Sequence, residues 1–186
     1  PETISLSTTG NNYRADLAMN EPGDAAAVWL SRIDDASGNL PPSVMFSQRP
    51  TGGSWSTADS LSDGDTAIED PSVAINARGD ILVTWQQLIN GVFAVKGRYW
   101  DADTESWSSI ETYSNTTENL HGGFAEAALD TDGNAVITWR QANAVEVTQL
   151  APKGDIVTRY RSHSGGTLGP ITQLSAAGHD AFNRSV

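Results

Sequence analysis

The chain has 186 residues, 38% hydrophobic and 18% charged, which is long enough for one domain with a sizeable core. Its formal net charge is −12, with only 11 basic residues, and this excludes the Lys/Arg surface that a nucleic-acid partner needs. The absence of cysteine excludes disulfides and thiolate metal sites, and no apolar run approaches the roughly 20 residues of a membrane-spanning helix.

Three stretches share one pattern. They are LAMNEPGDAAAVW at 17–29, VAINARGDILVTW at 73–85 and AALDTDGNAVITW at 127–139. In each, a glycine precedes a tryptophan by six: Gly23 and Trp29, Gly79 and Trp85, Gly133 and Trp139. Asn20, Asn76 and Asp130 sit three before the glycine, and Asp24, Asp80 and Asn134 follow it. The glycines are 56 and 54 residues apart, the signature of an internal repeat. Each stretch is predicted to be a β-hairpin. The glycine takes positive φ cheaply, and the Asx side chain bonds the backbone of its own turn. Arg78-Gly79-Asp80 therefore reads as turn, not as an adhesion motif. Asp130-Thr131-Asp132-Gly133-Asn134 reads as turn too, because it lacks the later glutamate of a calcium loop.

A second half follows each hairpin: SVMFSQRPTGGSWSTADSLS at 43–62, FAVKGRYWDADTESWSSIETYS at 93–114 and DIVTRYRSHSGGTLGPITQLS at 155–175. Each reads as strand, turn and strand closing on Leu-Ser or Tyr-Ser. Four short strands in roughly 55 residues are the arithmetic of a propeller blade. The expected fold is all-β and β-propeller-like: three four-stranded antiparallel blades, with partial strands at both ends of an incomplete ring. In chain order, 1–7 is the last strand of a preceding blade, 8–62 blade 1, 63–114 blade 2, 115–175 blade 3, and 176–186 the start of a further blade. Trp29, Trp85 and Trp139 are predicted to pack between blades. Trp100 lies outside the repeat and is freer for function. The open ends imply self-association or missing blades that complete the ring, in a fragment of a longer protein or in two copies making about six blades.

The segments PSVAINARGDILVTWQQ (71–87), VKGRYW (95–100) and DTDGNAVITWRQ (130–141) resemble tandem repeats of secreted or surface proteins of bacteria. The resemblance covers nearly the whole chain and implies a propeller-like fold and an extracellular, periplasmic or cell-surface place. A distant likeness to sialidase-type propellers stops short of their Asp-box, whose tryptophan stands three residues after its glycine.

Binding in such a fold is expected on loops at one face. The loops entering each blade, 8–14, 63–70, 115–124 and 176–182, offer Arg14, Asp65, Glu69, Asp70, Glu118, His121, His179 and Asp180, and the loop 31–40 adds Asp34 and Asp35. A carboxylate pair there would suit glycoside chemistry, and His121 with His179 and a carboxylate would suit a divalent metal. No Gly-x-Ser-x-Gly, phosphate-binding glycine loop or His-Glu-x-x-His motif appears, and solvated loop residues explain the list without a metal or cofactor. The expectation is a noncatalytic binding module for a glycan or protein, with part of a carbohydrate-active hydrolase or lyase as the alternative.

Overall fold

The structure, a computed structural model, describes residues 11–32, 41–63, 66–116, 120–143 and 154–176. These residues form three antiparallel sheets. The first contains β1 (Asn11–Met19), β2 (Ala25–Arg32), β3 (Ser43–Arg49) and β4 (Asp59–Ser60). The second contains β5 (Ile68–Ile75), β6 (Ile81–Ile89) and β7 (Val92–Asp101), with β8 (Ser106–Trp107) and β9 (Glu111–Thr112) both paired to β7 as a split outer strand. The third contains β10 (Leu120–Leu129), β11 (Ala135–Asn143), β12 (Asp155–Arg161) and β13 (Leu168–Gln173). The one helical turn among the described residues is a three-residue 3-10 turn at Ser164–Gly166. This is the expected all-β, propeller-like architecture, and the three sheets do not close into a ring. The strand predicted at 1–7 and the segment 177–186 lie outside the described residues.

The hairpin turns fold for the predicted reason. Asn76 Oδ1 accepts from the Arg78 and Asp80 amides at 3.0 and 2.9 Å, and Asn20 and Asp130 serve their own turns likewise. Gly23, Gly79 and Gly133 take φ of 97°, 90° and 84°. The asparagine also reaches across to the next blade. Asn20 Nδ2 donates to the Asn76 carbonyl at 2.9 Å, and Asn76 Nδ2 donates to the Asp130 carbonyl at 2.9 Å. Asp80 is 0% exposed and Arg78 is ion-paired with Asp103, so the Arg-Gly-Asp tripeptide presents no adhesion motif.

The Leu-Ser and Tyr-Ser ends have a local cause as well. The hydroxyls of Ser62, Ser114 and Ser175 accept from the amides of Val44, Val95 and Ile156 at 3.0, 2.9 and 3.1 Å. Each closes the outer strand onto its neighbour where the ladder ends. In the Arg-Tyr pairs, Arg98 Nε donates to the Ser108 carbonyl and Arg159 Nε to the Gly169 carbonyl, both at 2.8 Å, holding the outer strand at its other end.

The core lies between blades. One cluster joins Ala26, Val28, Leu30, Val44 and Phe46 of the first sheet to Ile81, Val83 and Trp85 of the second. The next joins Leu82, Val95, Tyr99 and Tyr113 to Ala135, Ile137 and Trp139 of the third. Each fully buried aliphatic side chain contributes about 1.5–3 kcal/mol. Trp85 and Trp139 are inter-blade, as expected. Trp29 differs: it packs with Ala27 and Ala58, against Met45 and Trp55 of its own blade. Trp100 is half-buried against the first cluster, edge-on to Trp107 at 5.5 Å, and Trp107 in turn is edge-on to Phe46 of blade 1 at 4.9 Å. The second interface also buries an ion pair. Arg161 meets both Glu111 carboxylate oxygens at 2.9 Å and lies 4.0 Å over the Tyr99 ring.

Candidate functional site

Strands β1, β5 and β10 are the first strands of their blades, and β5 packs against both of the others. Each is broken near its start by a β-bulge. The register shifts fall between Tyr13 and Asp16, between Glu69 and Ser72, and between Gly123 and Glu126. The bulged residues Arg14, Asp70 and Phe124 have φ of 52°, 47° and 53°. Left-handed backbone costs a non-glycine residue roughly 1–2 kcal/mol. Arg14, Asp70 and Phe124 are 56 and 54 residues apart, the spacing of the turn glycines, so the same bulge recurs in every blade.

The bulge aims successive side chains into one row. The Arg14 guanidinium pairs with Asp70 and stands 3.6 Å from Glu69. Phe124 is 51% exposed. A groove of ≈ 530 Å³ runs along the row, lined by Arg14, Asp16, Asp70, Ser72, Phe124 and Glu126 among others. A second cavity of ≈ 370 Å³, with Tyr13, Arg32, Pro41, Pro42 and Glu69 in its wall, shares Arg14. Asp16 is occupied: its Oδ2 accepts from the Ser72 hydroxyl at 3.0 Å and the Val73 amide at 2.9 Å, tying blade 1 to the bulge of blade 2.

Of the residues singled out in the sequence, Arg14, Glu69 and Asp70 come together. They stand on bulged strands rather than on loops, because the ladder reforms on both sides of each bulge. His121 lies on β10 outside both cavity walls. Its Nδ1 accepts from the Phe93 amide at 3.3 Å and its ring packs on Phe93. That lone pair is therefore committed to the backbone and is lost to a metal. Asp34, Asp35, Asp65, Glu118, His179 and Asp180 lie outside the described residues. Phe124 was missed, although adding the second repeat spacing to Asp70 points straight to it.

Toward the far ends of the sheets, Asp101, Asp103 and His163 bring ligand atoms within 4.8 Å of one another. The Arg78 guanidinium is paired with Asp103 and 3.8 Å from Asp80, so one carboxylate of that cluster already holds a cation of the protein's own. Elsewhere, Asp63 is held below the usual carboxylate range by the Gln87 amide and by Lys96. Asp24 is lowered by the Asn20 side chain and the Thr51 amide. Burial pushes the Tyr99 and Tyr113 phenols up.

The fold defines the class as propeller-type. The family 93 α-L-arabinofuranosidase of Fusarium graminearum, solved with arabinobiose, superimposes with a TM-score of 0.58 at 8% identity, over 94% of this chain and 52% of that one. This chain thus spans about half the length of that neighbour. A protein of unknown function from Dyadobacter fermentans covers 95% of this chain and 72% of its own, at 10% identity and a TM-score of 0.38. Neither a family model nor a curated protein sequence matches the chain.

Proposed function

We propose that the chain is a noncatalytic binding module of an exported bacterial protein, and that the groove along Arg14, Asp70 and Phe124 takes a neutral glycan. The observation that carries this reading is the recurrent strained bulge bearing three different side chains. An exposed aromatic ring stacks on the apolar face of a sugar, and an Arg–Asp pair offers fixed donors and acceptors to adjacent hydroxyls. Two acids of the groove also have structural partners: Asp70 is held by Arg14, and Asp16 by Ser72 and Val73. An acidic chain with two lysines and no cysteine is compatible with export, in the periplasm, at the cell surface or outside.

A second reading, part of a carbohydrate-active hydrolase or lyase, has one specific support. The solved neighbour is an arabinofuranosidase, and this chain spans about half of it. Titration calorimetry with arabinobiose and longer neutral oligosaccharides, alongside chromatography for released sugar, separates the two. Saturable binding without product, lost at least tenfold in Phe124→Ala and Arg14→Ala, supports the module. Release of monosaccharide that depends on Asp70 establishes the enzyme instead, and no binding to any member of the panel rejects a glycan.

A further inference from the structure

Among the described residues, every arginine but one has a partner. Arg14, Arg78 and Arg161 form ion pairs, and Arg98 and Arg159 donate to carbonyls. Arg49 lies over the Trp55 ring, and Arg140 is engaged as well. Arg32, at the end of β2, has no ion pair, hydrogen bond or ring contact, and its Nε–H is sealed from solvent without an acceptor. An unmet buried donor is costly, and in a chain of net charge −12 a cation without a carboxylate is out of place. The repeat shows that packing does not ask for it. The third residue after each repeat tryptophan is Arg32, Leu88 and Ala142, so blades 2 and 3 put an apolar side chain where blade 1 puts a charge.

Arg32 lines the cavity of ≈ 370 Å³ whose wall is drawn from blades 1 and 2. We infer that this cavity binds a sugar acid, a single uronate unit whose carboxylate pairs with Arg32. The two terminal nitrogens of a guanidinium match the two oxygens of a carboxylate. The other charges of the wall are already matched. Arg14 stands 3.6 Å from Glu69 and is held by Asp70 as well, so Arg32 is the cation left for a ligand. Glu69 repels a bare anion but accepts from hydroxyls, which favours an anion that carries hydroxyl groups. Thr66 accepts from Gln87 Nε2 at 3.2 Å, so its own O–H remains to donate into the cavity. Tyr13, 36% exposed, and the rings of Pro41 and Pro42 offer apolar surface to the C–H face of a pyranose. The volume falls at the small end of ligand sites, roughly 300–1,000 Å³, which suits one sugar unit. The inference goes beyond the neutral-glycan reading of the groove and does not rest on it, because the two walls share Arg14 alone.

Titration of the 186-residue chain with galacturonate and with glucuronate, followed by the arginine Nε–Hε cross-peaks in nitrogen–proton NMR, tests it. The Arg32 signal is assigned by its loss in Arg32→Leu. The expected result is a saturable shift of that signal with at least one of the two uronates. Galactose and glucose, which lack the carboxylate, should bind at least tenfold more weakly, and so should acetate, which lacks the hydroxyls. Uronate affinity followed by calorimetry should fall at least tenfold in Arg32→Leu, which places in blade 1 the residue type that blade 2 carries. Should that variant fail to fold, Arg32→Gln removes the charge and keeps a polar side chain. No shift with either uronate overturns the inference. Acetate binding as tightly as the uronates means a bare anion site, and neutral sugars binding as tightly mean that Arg32 reads no charge; either result overturns it, as does wild-type affinity in the Arg32 variants. The arabinobiose titration of the groove is unaffected by any of these outcomes, so the two readings fall separately.

Discussion

Two rows of residues cross the three blades, and they differ in what is kept constant. The turn row keeps its side chains: Asn20, Asn76 and Asp130 accept from their own turns, and each is followed by a glycine at positive φ. The bulge row keeps only its backbone: Arg14, Asp70 and Phe124 share φ near 50° and nothing else. Constant side chains solve one folding problem three times. A constant strained backbone carrying different side chains solves no folding problem, since glycine would sit there more cheaply. The contrast separates structural repetition from a candidate binding surface.

The comparison is broken most severely at Asn76. Asn76→Ala removes two turn acceptances, the donation to the Asp130 carbonyl and one of the donors to the buried Asp80 carboxylate. The expected loss is about 3 kcal/mol in urea unfolding, against about 1 kcal/mol for Asp130→Ala in an exposed turn. Equal losses would mean that the link between blades contributes nothing.

The same backbone argument predicts unequal costs in the two rows. An alanine Cβ at Gly79 meets only Ala102 Cβ at an ordinary 3.6 Å, so Gly79→Ala should cost roughly 1–2 kcal/mol from its φ alone. Phe124→Gly relieves its backbone but loses a half-exposed ring, so its thermal stability should fall by less than that of Gly79→Ala, while glycan binding falls. A loss in Phe124→Gly larger than that in Gly79→Ala would show that the ring is packing and not a binding surface.

The smallest effect is in acid. Asp24 has its folded pKa depressed below 3.8 by the Asn20 side chain and the Thr51 amide. Its contribution is therefore complete above the unfolded value and is lost as pH falls through the folded one. Wild type should exceed Asp24→Ala in stability at neutral pH. The gap between their melting temperatures should narrow only below about pH 4. A gap that stays constant down to pH 2 would mean that the carboxylate charge plays no part.

Much of this molecule is legible without coordinates, because turns and strand ends are local. The Asx-x-x-Gly turn needs only its own residues, and the Leu-Ser endings need only a hydroxyl one strand away. The bulges escaped notice for a physical reason. Aligned repeats compare side chains, whereas left-handed φ is imposed by a strand regaining its register, and Arg14, Asp70 and Phe124 look unrelated as letters. Trp29 makes a related point. It matches Trp85 and Trp139 in sequence, but its partners depend on which blade lies on that side.

By itself the sequence determined the period, the hairpins and the all-β class, since these follow from short-range hydrogen bonding and alternation along one chain. The tertiary structure alone decided that Arg14 meets Asp70 and that Phe124 completes their row. Those facts depend on how one sheet is stacked on the next, and contacts between residues 54 or more positions apart leave no mark in either residue's neighbours.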